Sequence, residues 1–382
     1  MKIFTSIKKV LVIFLIFLSF DVILFYLLPI NIKADLVVPR AHRIKSYFYH
    51  HDLRPSSSFR DHWGYEQNLI FTNNLGFKDQ KNRNIKFKEK NILFIGDSFT
   101  EGVGLKYNET FVGIIDKKLK KENSNIEILN AGVQSYSPKI YYSKLYDILE
   151  RKNYPIQHIV IIVSGGDIFD DYFRYNEVNE DNVLVHDDFQ NKTILNVINF
   201  LKGNTFIYQF ISRITPLKVI PDVVKNIFEK DNKKKRYLKK VNNLKDEDIY
   251  YFKFMKLKDY DYLYQDIAFN SWGKEAINNS FFYLEKISKL TNKKDIKLDI
   301  LYAKDAIIIL KQPIEKNLDY FINTFKKLEN YSNTNFYYLS EYDKDYTKST
   351  DAYKNLFFIE DHHWNKLGNK KIADEILRKI EF

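Results

Sequence analysis

The residue types able to do chemistry in this chain gather in four short segments. Gly96-Asp97-Ser98 follows the mostly apolar run "NILFI" (91–95). "LNAGVQSYS" holds Asn130 and Gly132, "VSGGDIFDD" holds Gly165, Gly166, Asp167 and Asp170, and "EDHHWN" holds Glu360, Asp361, His362 and His363. A serine hydroxyl is a weak nucleophile at neutral pH and needs a base to take its proton. That base needs an acid to orient it. Ser98 with the acid-and-histidine cluster near the C-terminus supplies the types for such a set, and N–H groups at glycine turns supply oxyanion donors. Each piece alone is ordinary: Gly-Asp-Ser suits a β-turn, and Asp-His-His suits a polar loop. Adjacent histidines lack the i, i+4 spacing of a helical zinc site, so neither a metal nor another cofactor is expected.

The elements that must position these residues follow an α/β pattern. "NILFI", "IEIL" (126–129), "HIVIIV" (158–163), "KLDILYA" and "NFYYLS" are short apolar runs suited to strands buried on both faces. Between the first two, Phe111, Ile114, Ile115 and Leu119 have helical spacing, with Asn108 as the expected N-cap. Ser137-Pro138 opens a second helix, and Ile372, Ile376 and Ile380 mark one face of a last one. Strands alternating with helices imply a parallel sheet covered on both faces, a three-layer α/β/α fold. In such sheets the active site lies at the carboxyl ends of the strands, where all four segments fall.

Outside that frame the chain divides further. Val10 to Ile30 is an apolar run long enough to span a bilayer, broken only by Asp21. Lys2, Lys8 and Lys9 precede it and favour a cytoplasmic N-terminus. Its length, and the lack of a small-residue cleavage site, read as an uncleaved signal anchor. The expected organisation is 1–33 as cytoplasmic tip and transmembrane anchor, 34–90 as a collar of loops and short strands, and 91–382 as the α/β domain. Within the last, about 172–295 reads as a long, mostly helical insertion. The chain has 382 residues, 31 Phe, 28 Tyr and no cysteine, which excludes disulfides, thiolate-ligated zinc and a thiol nucleophile. The net charge of +11 has one dense run, Lys230 to Lys240, read as a solvated surface segment. No nucleic-acid motif accompanies it, so nucleic acid is not an expected partner.

"FIGDSFTEGVGL" closely resembles block I of the SGNH/GDSL hydrolase family, "NAGVQSYSP" resembles block II, and "DHHWNKLGN" resembles the C-terminal block in its Asp-x-His-Trp-Asn form. "TNNLGFKD" (Thr72 to Asp79) is similar to a segment that precedes block I in membrane-anchored members from bacterial surface-polysaccharide loci. The resemblance covers about Asn91 to Asp171 and the C-terminal block, and implies a flavodoxin-like, SGNH-type fold. It makes Ser98 the nucleophile, His363 the base and Asp361 its orienting acid, with His362 and Glu360 as the alternatives. It makes the N–H groups of Ser98 and Gly132 oxyanion donors, and gives Asp97, Asn130 and Asp167 supporting places. The family's third block usually reads Gly-x-Asn-Asp, its Asn donating to the oxyanion; here Gly166 stands at that position. The implied activity is a serine-dependent esterase removing O-acyl (acetyl) groups from an envelope or exported polysaccharide. A glycan O-acyltransferase on the same site and a non-catalytic glycan-binding or assembly protein are the alternatives. The implied partners are an acylated glycan, the membrane through the N-terminal helix, and polysaccharide-assembly proteins. The implied location is the inner membrane, single-pass, with the domain on the periplasmic or extracytoplasmic side.

Overall fold

Five apolar runs pair into one parallel sheet: β6 (Lys90–Gly96), β7 (Ile126–Asn130), β8 (His158–Val163), β9 (Lys297–Ala303) and β10 (Thr334–Leu339), the numbering leaving β1–β5 for the preceding segment. Every residue of β8 is buried, and only the first of β6 is exposed, as continuous runs under two helical layers require. The computed structural model describes residues 2–37, 42–63, 66–83, 85, 90–122, 125–184, 192–214, 239 and 242–382. The basic run 230–240 lies outside them, Lys239 excepted.

Across the sheet the order is β10-β9-β8-β6-β7. Counted by chain position this is the 2-1-3-4-5 order of a flavodoxin-like doubly wound sheet. The order reverses at β6, and the crevice between the carboxyl ends of β6 and β8 is the switch point at which such sheets bind ligands. Ser98 follows β6, and Ser164 to Asp167 follow β8.

The helix Phe111–Glu122 packs with the C-terminal helix Lys366–Lys379 on one face. Pro138–Tyr146, Gly165–Phe173 and Lys274–Lys293 pack together on the other. The first of these helices is capped by Thr110, not Asn108: the Thr110 hydroxyl accepts the Gly113 N–H at 3.1 Å, while 107–109 form a separate 3₁₀ turn. Lys274–Lys293 falls within the segment read as an insertion, yet it contacts the neighbouring sheet helices and β9 as the crossover from β8 to β9. Helices Lys192–Asn204 and Phe206–Ile214 lie against the N-terminal apolar helix and the collar, with Phe206 edge-on to Phe25 at 5.1 Å.

Lys2–Leu27 is one helix, and its stretch Lys8–Leu27 is the one described helix long and apolar enough to cross a membrane. It stops before Pro29, short of the apolar run's end. Asp21 is only 7% exposed where most of its neighbours are open, and it shares a face with Phe25, four residues on.

The collar holds β1 (Arg43–Ser46) and β2 (His50–Leu53), an antiparallel pair, and β3 (Ser58–Trp63), β4 (Glu66–Thr72) and β5 (Lys78–Asp79), a small antiparallel sheet. Both sheets sit on the nucleophile side of the α/β domain.

Candidate active site

Ser98 opens a one-turn helix, Ser98–Glu101, directly after β6 and Asp97. The Asp97 carboxylate accepts the Phe99 N–H at 2.9 Å and caps that turn. As the first residue of the helix, Ser98 has no intrahelical partner for its own N–H.

His363 Nε2 lies 2.7 Å from Ser98 Oγ, across a sequence separation of 265. Its other ring nitrogen, Nδ1, lies 2.6 Å from Asp361 Oδ1, which also accepts the His363 backbone N–H at 2.7 Å. A carboxylate only accepts, so Nδ1 carries the hydrogen and Nε2 is left to accept the serine proton. Burial pushes the Asp361 carboxyl up, but the positive charge available on His363 and the hydrogen bonds from it outweigh this and hold it well below the usual carboxylate range. Asp361 is therefore an anion at neutral pH.

The loop carrying these residues is tied at both ends. Asp361 N–H donates to the Phe358 carbonyl and Phe358 N–H to the His363 carbonyl. Asn365 caps the C-terminal helix, accepting from the N–H groups of Leu367 and Gly368 at 2.9 and 3.1 Å. Trp364 is buried against Phe99, with ring centroids 4.6 Å apart, so the base loop and the nucleophile turn share one packing contact. Glu360 is exposed with φ 64°, and the carboxylate oxygen that faces His363 Nδ1 is that of Asp361. His362 packs between Phe99 and Phe254, and burial lowers it to about 3, which keeps it neutral; the bond to Ser98 belongs to its neighbour.

Asp361, His362 and His363 also form the one group of metal-ligand types found among the described residues. Both ring nitrogens of His363 and the facing Asp361 oxygen are already committed to the serine chain. One histidine remains, too few for a metal site.

The oxyanion assignment needs a correction. The Gly132 N–H donates to Asn130 Oδ1 at 3.1 Å, and Gly132 does not line the cavity beside Ser98. Glycine is needed there for packing: a Cβ would lie 2.6 Å from the Glu101 nitrogen and 2.7 Å from Thr100. Asn130 in turn donates to the Thr100 carbonyl at 2.9 Å, tying the end of β7 to the nucleophile turn. Two residues of this loop reach the cavity: Gln134, whose N–H is taken by Glu101 Oε2 at 2.7 Å, and Ser135, in the left-handed region at φ 63°. The Ser135 carbonyl is held by the Tyr175 hydroxyl, and its N–H makes no hydrogen bond among the described residues. Nothing local marks it in the sequence, because serine is not a residue that advertises a positive φ.

The cavity has a volume of about 130 Å³ and is lined by Asp97, Ser98, Ser135, Gly166, Asp167 and His363 among others. Gly166 contributes no side chain, and the Tyr260 ring lies over the adjoining Gly165. At the rim Asp170 pairs with Arg174 at 3.0 Å; burial raises its carboxyl to about 7, with Arg174 opposing.

Collar residues, which the sequence reading used only as a joint, hold the nucleophile turn. Arg43 forms a two-pronged pair with buried Glu101 at 2.9 and 3.0 Å. Lys78 donates to the Gly102 carbonyl at 2.5 Å, Asp61 accepts the Gly104 N–H at 2.7 Å, and Asn68 donates to the Gly104 carbonyl at 2.7 Å. Trp63 stands edge-on to the His363 ring at 5.2 Å and lies so close over Gly104 that a Cβ there would be 2.2 Å from its own. Arg43→Ala strands a buried carboxylate, so about 3 kcal/mol of stability is expected to be lost. The denaturant midpoint of the full chain reads this, and an unchanged midpoint contradicts the clamp.

No family model matches the chain, and no curated protein does. Among solved structures it is similar to TesA, at 9% identity over 76% of this chain and 97% of that one, with a TM-score of 0.39. It is similar to Axe2, an acetylxylan esterase from Geobacillus stearothermophilus, at 12% identity over 78% of this chain and 97% of that one, with a TM-score of 0.38. The psychrotrophic esterase EstA from Pseudoalteromonas sp. matches at 12% identity over 76% and 96% of the two chains, with a TM-score of 0.36.

Proposed function

We propose that the chain is a serine-dependent ester hydrolase of SGNH type that removes acetyl groups from an envelope or exported polysaccharide. The observation that carries this is the continuous Ser98–His363–Asp361 hydrogen-bond chain at the sheet's switch point. In this reading Ser98 Oγ attacks the ester carbonyl carbon as its proton passes to His363 Nε2. Ionised Asp361 stabilises the imidazolium that forms. The tetrahedral oxyanion is met by the N–H groups of Ser98 and Ser135. Its collapse breaks the carbon–oxygen bond to the alcohol, which leaves with the proton from Nε2, and the acetyl group stays on Ser98. Water then attacks the acyl carbon as His363 Nε2 takes its proton; collapse breaks the bond to Ser98 Oγ, which regains that proton from Nε2, and the product leaves as acetic acid and ionises to acetate. The small cavity suits a short acyl group, because pockets for drug-sized ligands run to about 300–1,000 Å³. The anchor helix supports a membrane location with the catalytic domain on the extracytoplasmic side.

Acetyl transfer to a sugar hydroxyl shares every step up to the acyl-enzyme. The test is release from activated esters of increasing acyl length by the full chain in detergent, with and without an oligosaccharide acceptor. Preference for acetyl with free acetate as product supports the hydrolase. Acetylated sugar in place of acetate makes it a transferase, and the absence of an acyl-Ser98 intermediate under rapid quench overturns both.

A further inference from the structure

Beneath the nucleophile turn two carboxyl groups face one hydroxyl. Ser164 Oγ lies 2.9 Å from Asp97 Oδ2 and 2.9 Å from Asp167 Oδ1. The outer oxygens are already supplied: Asp97 Oδ1 accepts the Phe99 N–H at 2.9 Å, and Asp167 Oδ2 accepts the Ser164 N–H at 2.9 Å and the Tyr141 O–H at 2.6 Å. All four side chains are buried. A serine hydroxyl has one hydrogen to give. With both carboxyls ionised, one of the two 2.9 Å contacts is an oxygen–oxygen contact without a hydrogen, between side chains that are each more than nine-tenths buried. Such a contact is costly where a single added proton removes it.

We propose that Asp167 is a neutral carboxylic acid at neutral pH, donating from Oδ1 to Ser164, whose own hydroxyl donates to ionised Asp97, so that Asp167 acts as a positioning residue for the nucleophile turn. The surroundings place the charge on Asp97, which faces His363. Burial raises the Asp97 carboxyl, and the Phe99 N–H and His363 pull against that. Asp167 is raised well above the carboxylate range by burial first and then by the Asp97 charge. The other titratable groups facing the pair are Tyr141, Tyr175 and Tyr262, which stay protonated, and Asp170, Asp171 and Asp305, raised by burial to about 7, 6 and 6. Arg174 is the cation near them, paired with Asp170. The arrangement leaves one negative charge, not two, beside the carbonyl oxygen that turns anionic in the proposed reaction.

The inference rests on hydrogen-bond counting and stands whether or not the chain is an esterase, so its test needs no turnover. Asp167→Asn reproduces the neutral acid: its amide N–H replaces the O–H toward Ser164, and its carbonyl accepts from Tyr141 and the Ser164 N–H. A carboxyl raised in the folded state keeps its proton while the unfolded chain has lost it. Its stability contribution is present below the ordinary carboxylate range and is lost as pH rises toward the folded value. The slope of stability against pH over about pH 5–7, above the ordinary carboxylate range, is therefore expected to be shallower in Asp167→Asn by about one proton. Infrared spectra of the full chain in detergent at about pH 8, above the ordinary carboxylate range, are expected to show the carbonyl band of a protonated carboxylic acid that Asp167→Asn removes. An unchanged slope in a folded variant overturns the proposal. So does the absence of that band from the unmodified protein, which decides the matter even if the variant does not fold.

Discussion

Ser98→Ala lowers turnover of an activated acetyl ester by about 10⁴–10⁶-fold. The hydroxyl it removes is the group His363 Nε2 bonds at 2.7 Å, and no other serine is bonded to that nitrogen. His363→Ala has a loss of the same order, and the double variant is no worse than either single one, because the two residues act as one unit. Asp361→Asn costs about 10⁴-fold by a different route. The amide turns an N–H toward Nδ1 or offers a weaker acceptor, and either undoes the tautomer that leaves Nε2 free. Steady-state release of the leaving group gives the rates, and circular dichroism checks that each variant is folded. Undiminished turnover by Ser98→Ala sinks the nucleophile assignment.

Gly166→Asn is expected to raise turnover by about 10²–10³-fold, the factor a single oxyanion donor is worth. The backbone allows it. A Cβ at Gly166 has Tyr260 Oη at 3.6 Å, Ser164 Oγ at 3.8 Å and Tyr260 Cε2 at 3.9 Å as its nearest neighbours, all ordinary contacts, and φ there is not positive. An amide would therefore enter a cavity that already holds Ser98 and His363. Gly166→Ala is the control, filling the same space without a donor, and is expected to give no increase. If both substitutions leave the rate where it was, the oxyanion is stabilised elsewhere and the glycine is not a deficit.

The parts of this molecule that were legible in the sequence are those encoded by contiguous residues. The five strands are mostly apolar runs, and Pro138 after Ser137 starts a helix where expected. Residue types alone narrowed the chemistry to Ser98 and an acid-and-histidine cluster; the resemblance to SGNH blocks singled out Asp361 and His363, which the fold brings into one hydrogen-bond chain with Ser98. The rest depended on distant chain. Gly132 was taken for a donor because it is a glycine in the right loop, yet its small size serves close packing on Thr100 and Glu101, and Ser135 reaches the cavity instead. Asn108 has the cap chemistry, but Thr110 is in register with the helix. Trp63, Arg43, Asp61 and Asn68 carried no signal at all, and Lys78 none beyond its place in the "TNNLGFKD" segment. Their contribution exists only once two small sheets fold back over a turn tens of residues further on. The bridge from Asp167 through Ser164 to Asp97, on which the proposed proton on Asp167 rests, is likewise a property of a buried contact between two loops, not of either loop.

The wide spacing of Ser98 and His363 has a consequence for the order of events during synthesis. Chains fold from the N-terminal side as they emerge, so Ser98 is made 265 residues before the imidazole, and the collar that clamps its turn is made earlier still. The base loop then docks through Trp364 on Phe99 and through Asn369, whose side-chain oxygen accepts the Phe111 N–H at 2.9 Å. Until that docking, Ser98 Oγ has no imidazole partner. On the proposed reading the growing chain cannot yet take an acyl group on that serine, and competence arrives in a single late step with the closing of the helical layer.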